Sequence, residues 1–165
     1  MVLPKEILSS AKFVRDIIDS SQFQPAGVDI TLKEARLYKT AGKIDFDNKE
    51  RKISETGLIP FVNEEVKLIQ GAYKVIFNEY VCVPQHAIAL CFPRSSLLRS
   101  GITLECAVWD PGYEGRSEAM LIVLNPQGAI LKRNAKIGQL VFIKLAKKTS
   151  YTYRGVYYKE NDILE

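Results

Sequence analysis

The sequence predicts an all-β protein of the sandwich or barrel type, and three observations support this class. Short apolar runs recur between turn signals from residue 28 onward. These runs are rich in β-branched residues, as in "VDITL" and "LIVL", and the first alternates apolar with polar side chains. The 165 residues fit one domain, and no linker rich in Pro, Gly and Ser divides them. Regularly spaced short strands are typical of sandwiches and barrels.

Before the β-rich part, residues 4–20 predict one amphipathic helix. A proline stands near its start, where proline is tolerated, and apolar residues follow at spacings of three and four: Pro4, Ile7, Leu8, Ala11, Val14, Ile17 and Ile18. We therefore expect a single domain over residues 1–165, with an N-terminal helix in 1–22, a β core in 25–145 and a C-terminal tail in 146–165.

The strands of the core are predicted where apolar and β-branched residues lie between turn residues. These segments are residues 28–32, 43–46, 67–69, 72–83, 87–92, 119–124, 129–131 and 140–145. The densely charged stretch "KIDFDNKERKISET" predicts a solvated hairpin or loop.

Composition narrows the class of function. No apolar run approaches the eighteen or so residues that a membrane span needs, and the N-terminus lacks a secretory or transit pattern, so a cytoplasmic protein is expected. The formal charge of +4 is spread along the chain without a basic block, which argues against nucleic acid as a partner. The three cysteines have no CxxC spacing and are expected to be buried apolar residues, not ligands of a metal.

Four stretches stand out from this β background: "PAGVDITL", "PRSSLLRSGI", "AVWDPGYEGRSE" and "KIGQLVFIKL". In this order they resemble the motifs of the trimeric dUTP pyrophosphatase (dUTPase) and dCTP deaminase superfamily, from about residue 25 to 145. The combination is specific, whereas each motif alone is weak. The helix before the first motif resembles the deaminase branch and its archaeal-type dUTPase relatives.

The resemblance implies a distorted jelly-roll (β-clip) sandwich with an N-terminal helix, assembled as a homotrimer with active sites between subunits. It also implies hydrolysis of dUTP to dUMP and pyrophosphate with Mg²⁺ as cofactor, held through the triphosphate and water and not directly by protein ligands. The reaction would lower dUTP and supply the precursor of dTMP.

The Arg-Ser-Ser motif follows a predicted strand and points to anion binding. A guanidinium can bind phosphate oxygens through two hydrogen bonds, and a serine hydroxyl can donate one more. The alternative is a helix N-cap with an arginine in a salt bridge. By resemblance, Arg94, Ser95 and Ser96 bind the phosphates, and Arg99 contacts a phosphate or lies at a subunit boundary.

Asp110 stands between the only tryptophan, Trp109, and a Pro-Gly turn. A carboxylate there can orient and deprotonate an attacking water. By resemblance Asp110 is this catalytic base, and Tyr113 packs under the deoxyribose, where a 2′-hydroxyl would collide with it. The alternative is that Asp110 begins an ordinary turn and Tyr113 fills the core. Trp109 is expected to be buried in the core or between subunits.

Residue 120 separates the two chemistries of the superfamily. The deaminases place a glutamate ten residues beyond this Asp to move protons, and Met120 stands there in this chain. A thioether cannot exchange protons, which favours dUTP hydrolysis. Glu118 faces the same side of the strand and keeps deamination open. In the family, the segment that corresponds to residues 101–110 recognises the base. In this chain it is about two residues shorter than in either branch, so the specificity for uracil follows from the resemblance and not from residues of this segment.

The remaining site residues come from the first motif, the last motif and the tail. By resemblance Asp29 organises the site, and Gln139 donates a hydrogen bond to a phosphate beside the small Gly138. The segment "YRGVYY" resembles the tail of the deaminase branch, which implies that Arg154 and Tyr157 close over the triphosphate of the same or a neighbouring subunit; the alternatives are a disordered tail or simple strand packing. Two alternatives to a dUTPase remain: a dCTP deaminase or bifunctional enzyme, and a trimeric protein that binds nucleotides without turnover.

Overall fold

The computed structural model describes residues 1–162, and they are mostly β-sheet. The helices are α1 (Lys5–Ser10) and α2 (Ser95–Arg99), with a single 3₁₀ turn at Ser20–Gln22. The strands are β1 (Val14–Arg15), β2 (Phe23–Gln24), β3 (Gly27–Tyr38), β4 (Thr56–Ile59), β5 (Glu65–Leu68), β6 (Gly71–Phe77), β7 (Tyr80–Cys82), β8 (Ala87–Pro93), β9 (Ile102–Glu105), β10 (Glu114–Gly115), β11 (Glu118–Val123), β12 (Ala129–Lys132) and β13 (Lys136–Lys144). The predicted all-β fold is confirmed.

The long strand β3 joins the two halves of the main sheet, whose order is β8-β13-β3-β6-β11-β9. Its first part pairs with β13, and from Leu32 onward it pairs with β6 and, at its end, β4. The register shifts between Leu32 and Glu34, where the strand passes from one half to the other. Such irregularities bend a strand and let a sheet curve round a core.

The core lies between the curved halves of this sheet. Apolar residues at alternate positions of β3 point into it, and residues of β6, β11 and β13 meet them. The deeply buried side chains of these strands include Val28, Ile30, Leu32, Val75, Phe77, Leu121, Leu140 and Phe142. Each such side chain contributes about 1.5–3 kcal/mol by leaving water.

The predicted N-terminal helix is present but much shorter than residues 4–20. It ends at Ser10, and Lys12 and Asp16 have positive φ angles of 50° and 58°, which no helix accommodates. Val14 is buried as a strand residue opposite Val81, not on a helix face. The prediction of one helix through Ser20 was therefore wrong, because strand pairing with β7 outweighs the helical spacing of the apolar residues.

Two predicted strands also differ. The run 72–83 is broken into β6 and β7 by Glu79, whose buried carboxylate accepts hydrogen bonds from Gln22 and Thr31. The run 43–46 forms only an isolated bridge between Lys43 and Lys52, within a charged hairpin as the composition predicted. The predicted strands 67–69, 87–92, 119–124 and 129–131 are present with shifts of at most two residues, whereas 28–32 and 140–145 are parts of the longer strands β3 and β13.

Among residues 1–162, no helix is long and apolar enough to cross a membrane.

Candidate active site

The predicted site residues lie in two groups at opposite ends of strand β8. The first group, called here the Arg94 cluster, consists of Asp29, Arg94, Lys136 and Gln139. Arg94 Nη1 lies 2.9 Å from Asp29 Oδ2, and Lys136 Nζ lies 3.6 Å from the same oxygen. Gln139 is directly opposite Asp29 in the pairing of β3 with β13. Asp29, Arg94 and Gln139, which were predicted from three separate motifs, therefore lie together. Lys136 joins them, although it was not a predicted site residue.

Burial and charge give the Arg94 cluster its character. Asp29 is only 2% exposed, whereas the Arg94 side chain is 36% exposed. Burial raises the pKa of Asp29, and the positive charges of Arg94 and Lys136 oppose that rise. With Asp29 ionised, two cations share one carboxylate, and the cluster keeps a net positive charge toward solvent. This arrangement suits an anion.

Helix α2 follows Arg94 directly, with Arg94 at its N-cap position. Buried Leu97 anchors the helix to the core, while Ser95, Ser96 and Arg99 are exposed. The two serines thus lie beside the exposed face of Arg94 in sequence and in space. Arg99 lies at the far end of the same helix.

Close packing inside the protein explains why position 138 is a glycine. A Cβ at this position would meet Cys91 Sγ at 2.7 Å and Leu104 Cδ2 at 2.9 Å, both within the protein. The glycine therefore allows β13 to pack closely against its own core.

The second group surrounds a pocket of about 400 Å³ next to Asp110, called here the Asp110 pocket. Its wall includes Ile53, Trp109, Asp110, Tyr113, Glu118, Tyr157 and Glu160. Asp110 is exposed, and none of the Arg94 cluster lines this pocket. A cavity of this size is within the usual range for small-molecule sites.

The Asp-Pro-Gly stretch is a tight turn that leaves the Asp110 carboxylate free. The amide of Tyr113 donates to the Asp110 carbonyl at 3.1 Å, and Gly112 has a φ of 83°. Proline followed by a glycine at positive φ is the pattern of a type II turn. The same residues thus make an ordinary turn and present a carboxylate, so the two readings of this stretch are compatible.

A chain of hydrogen bonds fixes the floor of the Asp110 pocket. The Tyr113 hydroxyl donates to Glu160 Oε1 at 2.6 Å, so the Ser117 hydroxyl, 2.7 Å away, donates to Tyr113. Ser117 in turn accepts from the indole of Trp109. Trp109 and Tyr113 are each 5% exposed, as expected for Trp109. Linked donors and acceptors of this kind polarise one another and hold the rings rigidly.

Burial raises the pKa of Tyr113, so its hydroxyl remains a donor at neutral pH. Burial also raises the pKa of Glu160, and the negative charge of Glu118 adds to this rise. The hydrogen bond from Tyr113 and the positive charge of Lys74 act in the opposite direction and lower the pKa. Sequence reasoning missed Glu160, which belongs to none of the four motifs, and it gave no role to Ser117, although Ser117 lies within "AVWDPGYEGRSE".

The C-terminal tail packs against the loop that carries Asp110. The amide of Tyr153 donates to the Pro111 carbonyl at 2.8 Å, and that of Lys159 donates to the Glu114 carbonyl at 2.7 Å. Tyr157 lines the Asp110 pocket, and Arg154 lines a second hollow on the other side of Asp110. The tail residues named from the sequence therefore lie beside Asp110 in the same chain. Residues 163–165 of the predicted tail lie outside the described residues.

Met120 and Glu118 occupy alternate positions of β11 and face the same side. Met120 pairs with Lys74 on one side and Glu105 on the other. Glu118 lines the Asp110 pocket and forms an ion pair with Lys74 at 2.9 Å.

The two groups are far apart within one chain. Trp109 pairs with Ala89 near the start of β8, whereas Arg94 follows its end. The extended chain from Ala89 to Arg94 spans about 17 Å at roughly 3.3 Å per residue. The side chains of Asp110 and Arg94 of one chain therefore cannot contact the same phosphate group.

Within residues 1–162, no group of three His, Cys, Asp or Glu side chains is arranged to hold a metal ion by itself.

Comparison with known proteins supports the family that the sequence motifs resemble. A family model described as dCTP deaminase-like matches residues 4–145. A "probable deoxyuridine 5′-triphosphate nucleotidohydrolase" of Methanosarcina mazei is 47% identical over 161 residues, covering 96% of this chain and 94% of the relative. A deoxyuridine 5′-triphosphate nucleotidohydrolase of Methanocaldococcus jannaschii is 35% identical over 153 residues, covering 90% and 95%.

Among solved structures, a 2′-deoxycytidine 5′-triphosphate deaminase of Agrobacterium tumefaciens superposes with a TM-score of 0.64 at 18% identity. The match covers 86% of this chain and 47% of that chain. At this identity the likeness shows the fold alone.

Proposed function

The chain belongs to the dCTP deaminase-like family, and we propose that it is the dUTP-hydrolysing member, a dUTP diphosphatase that forms dUMP and pyrophosphate. It is an enzyme of nucleotide metabolism, because its relatives named deoxyuridine 5′-triphosphate nucleotidohydrolase align with this chain over almost their whole length. The motif resemblance found in the sequence is confirmed.

The observation that carries the mechanism is the exposed carboxylate of Asp110 at the rim of a pocket that has a rigid aromatic floor. We infer that Asp110 orients the attacking water and takes its proton. The water oxygen bonds to the α-phosphorus as the bond to the bridging oxygen breaks, and pyrophosphate leaves with the electron pair. Positioning and neutralisation of charge supply most of the rate in such transfers.

The Arg94 cluster is our candidate for holding the triphosphate. The exposed side of Arg94, the hydroxyls of Ser95 and Ser96, and the amide of Gln139 supply donors around a positive centre. Asp29 organises this centre by fixing the guanidinium at 2.9 Å. Arg99, at the end of α2, is assigned to phosphate contact or to the subunit boundary.

A complete site requires more than one subunit, and we infer a homotrimer with sites between subunits. The support is the separation of about 17 Å along β8, which keeps Asp110 and Arg94 of one chain apart. A head-to-tail interface that closes into a ring brings Asp110 of one copy to the Arg94 cluster of the next.

The residues at the site fit a magnesium ion. Asp29 is engaged with Arg94 and Lys136, and Asp110 is assigned to the attacking water, so we infer that the ion would be held through the triphosphate and water. Mg²⁺ commonly keeps several waters and binds through phosphates with one or two carboxylates, so a dedicated protein cage is not needed. When bound, the ion neutralises charge on the triphosphate.

Tyr113 is our candidate for discrimination of the sugar. Its hydroxyl is held by Ser117 and Glu160, so the ring cannot move aside. A ring fixed under the sugar excludes a 2′-hydroxyl by steric overlap. Tyr157 and Arg154 of the tail then cover the site on either side of Asp110.

Deamination of dCTP remains the second candidate, because Glu118 lines the same pocket as Asp110. Against it, Glu118 is in an ion pair with Lys74, and Met120 cannot move a proton.

The test incubates purified protein with Mg²⁺ and either dUTP or dCTP and separates the products. We expect dUMP and pyrophosphate from dUTP and no product from dCTP. The appearance of dUTP or dUMP from dCTP would establish the deaminase or bifunctional alternative. Binding of dUTP without any product would establish a nucleotide-binding protein instead.

A further inference from the structure

The connection between β3 and β4, residues 39–55, is a long hairpin that the proposed mechanism does not use. It is ordered along its length: Lys43 and Lys52 exchange two backbone hydrogen bonds of 2.8 and 2.9 Å, and the amide of Glu50 donates to Asp45 Oδ2 at 2.9 Å. At its base, the amide of Lys39 donates to the Glu55 carbonyl at 2.8 Å. Hydrogen bonds therefore hold the hairpin in a defined conformation from its base to its tip.

This hairpin reaches the Asp110 pocket. Ile53 lines the pocket. The Arg51 guanidinium lies over the Tyr157 ring, 5.7 Å from its centre, and donates to Asn48 Oδ1 at 3.1 Å. Asn48 thus holds the guanidinium from within the hairpin while Arg51 contacts the tail.

The tail needs such contacts, because it has little regular structure of its own. Residues 151–158 contain no strand or α-helix, and ordering each residue costs about 1–2 kcal/mol of backbone entropy. The tail's hydrogen bonds to the Asp110 loop and the residues after it are made at Pro111, Tyr113, Glu114 and Arg116. Arg51 supplies a contact from a different segment of the chain, at the Tyr157 ring that lines the pocket.

We propose that Arg51 is a positioning residue for nucleotide binding: through Tyr157 it holds the tail against the Asp110 pocket, while Ile53 completes the apolar wall there. The identity of the ligand as a pyrimidine deoxynucleotide rests on the proposed function. Arg51 touches neither Asp110 nor the Arg94 cluster. Its loss therefore affects binding more than chemistry.

The size of the effect follows from the contact. A cation over an aromatic ring at an exposed site contributes an amount that corresponds to about two- to five-fold in an equilibrium constant. We expect Arg51→Ala to raise KM for dUTP by about this factor and to leave kcat within about 1.5-fold. Arg51→Lys keeps a cation over the ring and should restore most of the lost affinity. Lys52→Ala, which removes an exposed side chain one residue along the same hairpin, should match the wild type.

The second measurement does not depend on activity. Amide hydrogen exchange of residues 150–160, without nucleotide, should be about two- to five-fold faster in Arg51→Ala than in the wild type and unchanged in Lys52→Ala. Exchange in strand β3 serves as the check on folding. Wild-type KM together with wild-type exchange in Arg51→Ala would overturn the proposal. A wild-type protein that failed to hydrolyse dUTP would refute the proposed function instead, and the exchange result would still decide whether Arg51 holds the tail.

Discussion

Asp29 Oδ2 and Arg94 Nη1 lie 2.9 Å apart, although the two residues are 65 positions apart in sequence. Asp29 is buried in β3, and Arg94 reaches it from the end of the neighbouring β8–β13 half of the sheet. A buried carboxylate that fixes an exposed guanidinium orients its free N–H groups toward solvent. This relationship joins two motifs that the sequence only suggested separately.

Replacement of Asp29 by asparagine should loosen Arg94. A hydrogen bond to a charged group contributes about 1.5–3 kcal/mol, so we expect KM for dUTP to rise by about ten-fold or more, with a smaller change in kcat. Steady-state kinetics measure this. Glu34→Gln on the same strand, which breaks a partly exposed pair with Arg36, is the control and should change KM little. Equal KM values in Asp29→Asn and the wild type would refute the organising role.

Replacement of Asp110 by asparagine should abolish turnover and leave binding. Removal of a general base costs about 10²–10⁴-fold in kcat, whereas the amide has nearly the same shape. Trp109, the only tryptophan, lies in the pocket wall, so its fluorescence can report dUTP binding. Glu6→Gln on helix α1 is the matched control. If kcat were unchanged in Asp110→Asn, the base would be elsewhere.

The sequence predicted the parts of this molecule that depend on local pattern. The alternating strand at Val28, the turn at Pro111-Gly112 and the end of the strand before Arg94 all follow from residue type and spacing. The N-terminal helix was overestimated because the spacing of Val14 suits a helix, while its partner Val81 lies far away in sequence. Long-range pairing of this kind leaves no local signal.

In the candidate site, too, local motifs could be recognised from the sequence, whereas long-range contacts could not. The motifs named Asp29, Arg94, Asp110 and Gln139 as candidates, but Glu160 reaches Tyr113 only because the tail folds back along the Asp110 loop. Arg51 lies in a charged hairpin that composition alone describes as solvated. Its contact with Tyr157 depends on the tertiary path of two segments.

Glu79 is predicted to be essential for stability. Its buried carboxylate accepts from the Gln22 amide and from both the backbone and hydroxyl of Thr31. Glu79→Ala leaves these donors without an acceptor, at about 1–3 kcal/mol each, so the free energy of unfolding should fall by at least about 3 kcal/mol. Urea denaturation at one fixed protein concentration measures it. Glu55→Ala, at an exposed position, should lie within about 0.5 kcal/mol of the wild type; a similar loss in both variants would contradict this role.

Docking of the tail should depend on pH through Glu160. Because burial raises its pKa, the docked tail binds the proton more tightly than a released tail. Docking is therefore strongest below the pKa of a free glutamate, about 4.3, and weakens as the pH rises through the raised value.

Amide exchange of residues 157–161, corrected for intrinsic rates, should accordingly show more protection at pH 5 than at pH 8. Glu160→Gln should lose this dependence, since the amide oxygen still accepts from Tyr113 and no charge is buried. Glu105→Gln, at an exposed position on β9, should keep it. Wild-type pH dependence in Glu160→Gln would exclude Glu160 as the titrating group.

The central claim is that Asp110 of one subunit acts on a triphosphate held by Arg94 of another. The most direct measurement mixes two inactive proteins, Asp110→Asn and Arg94→Ala, in equal amounts after dissociation and reassembly, and compares dUTP hydrolysis with that of each variant alone. If each site draws these residues from two neighbouring subunits, about a quarter of the sites regain both, and about a quarter of the wild-type activity returns. If no activity returns although mixed assemblies form, Asp110 and Arg94 act within one subunit and the account is wrong.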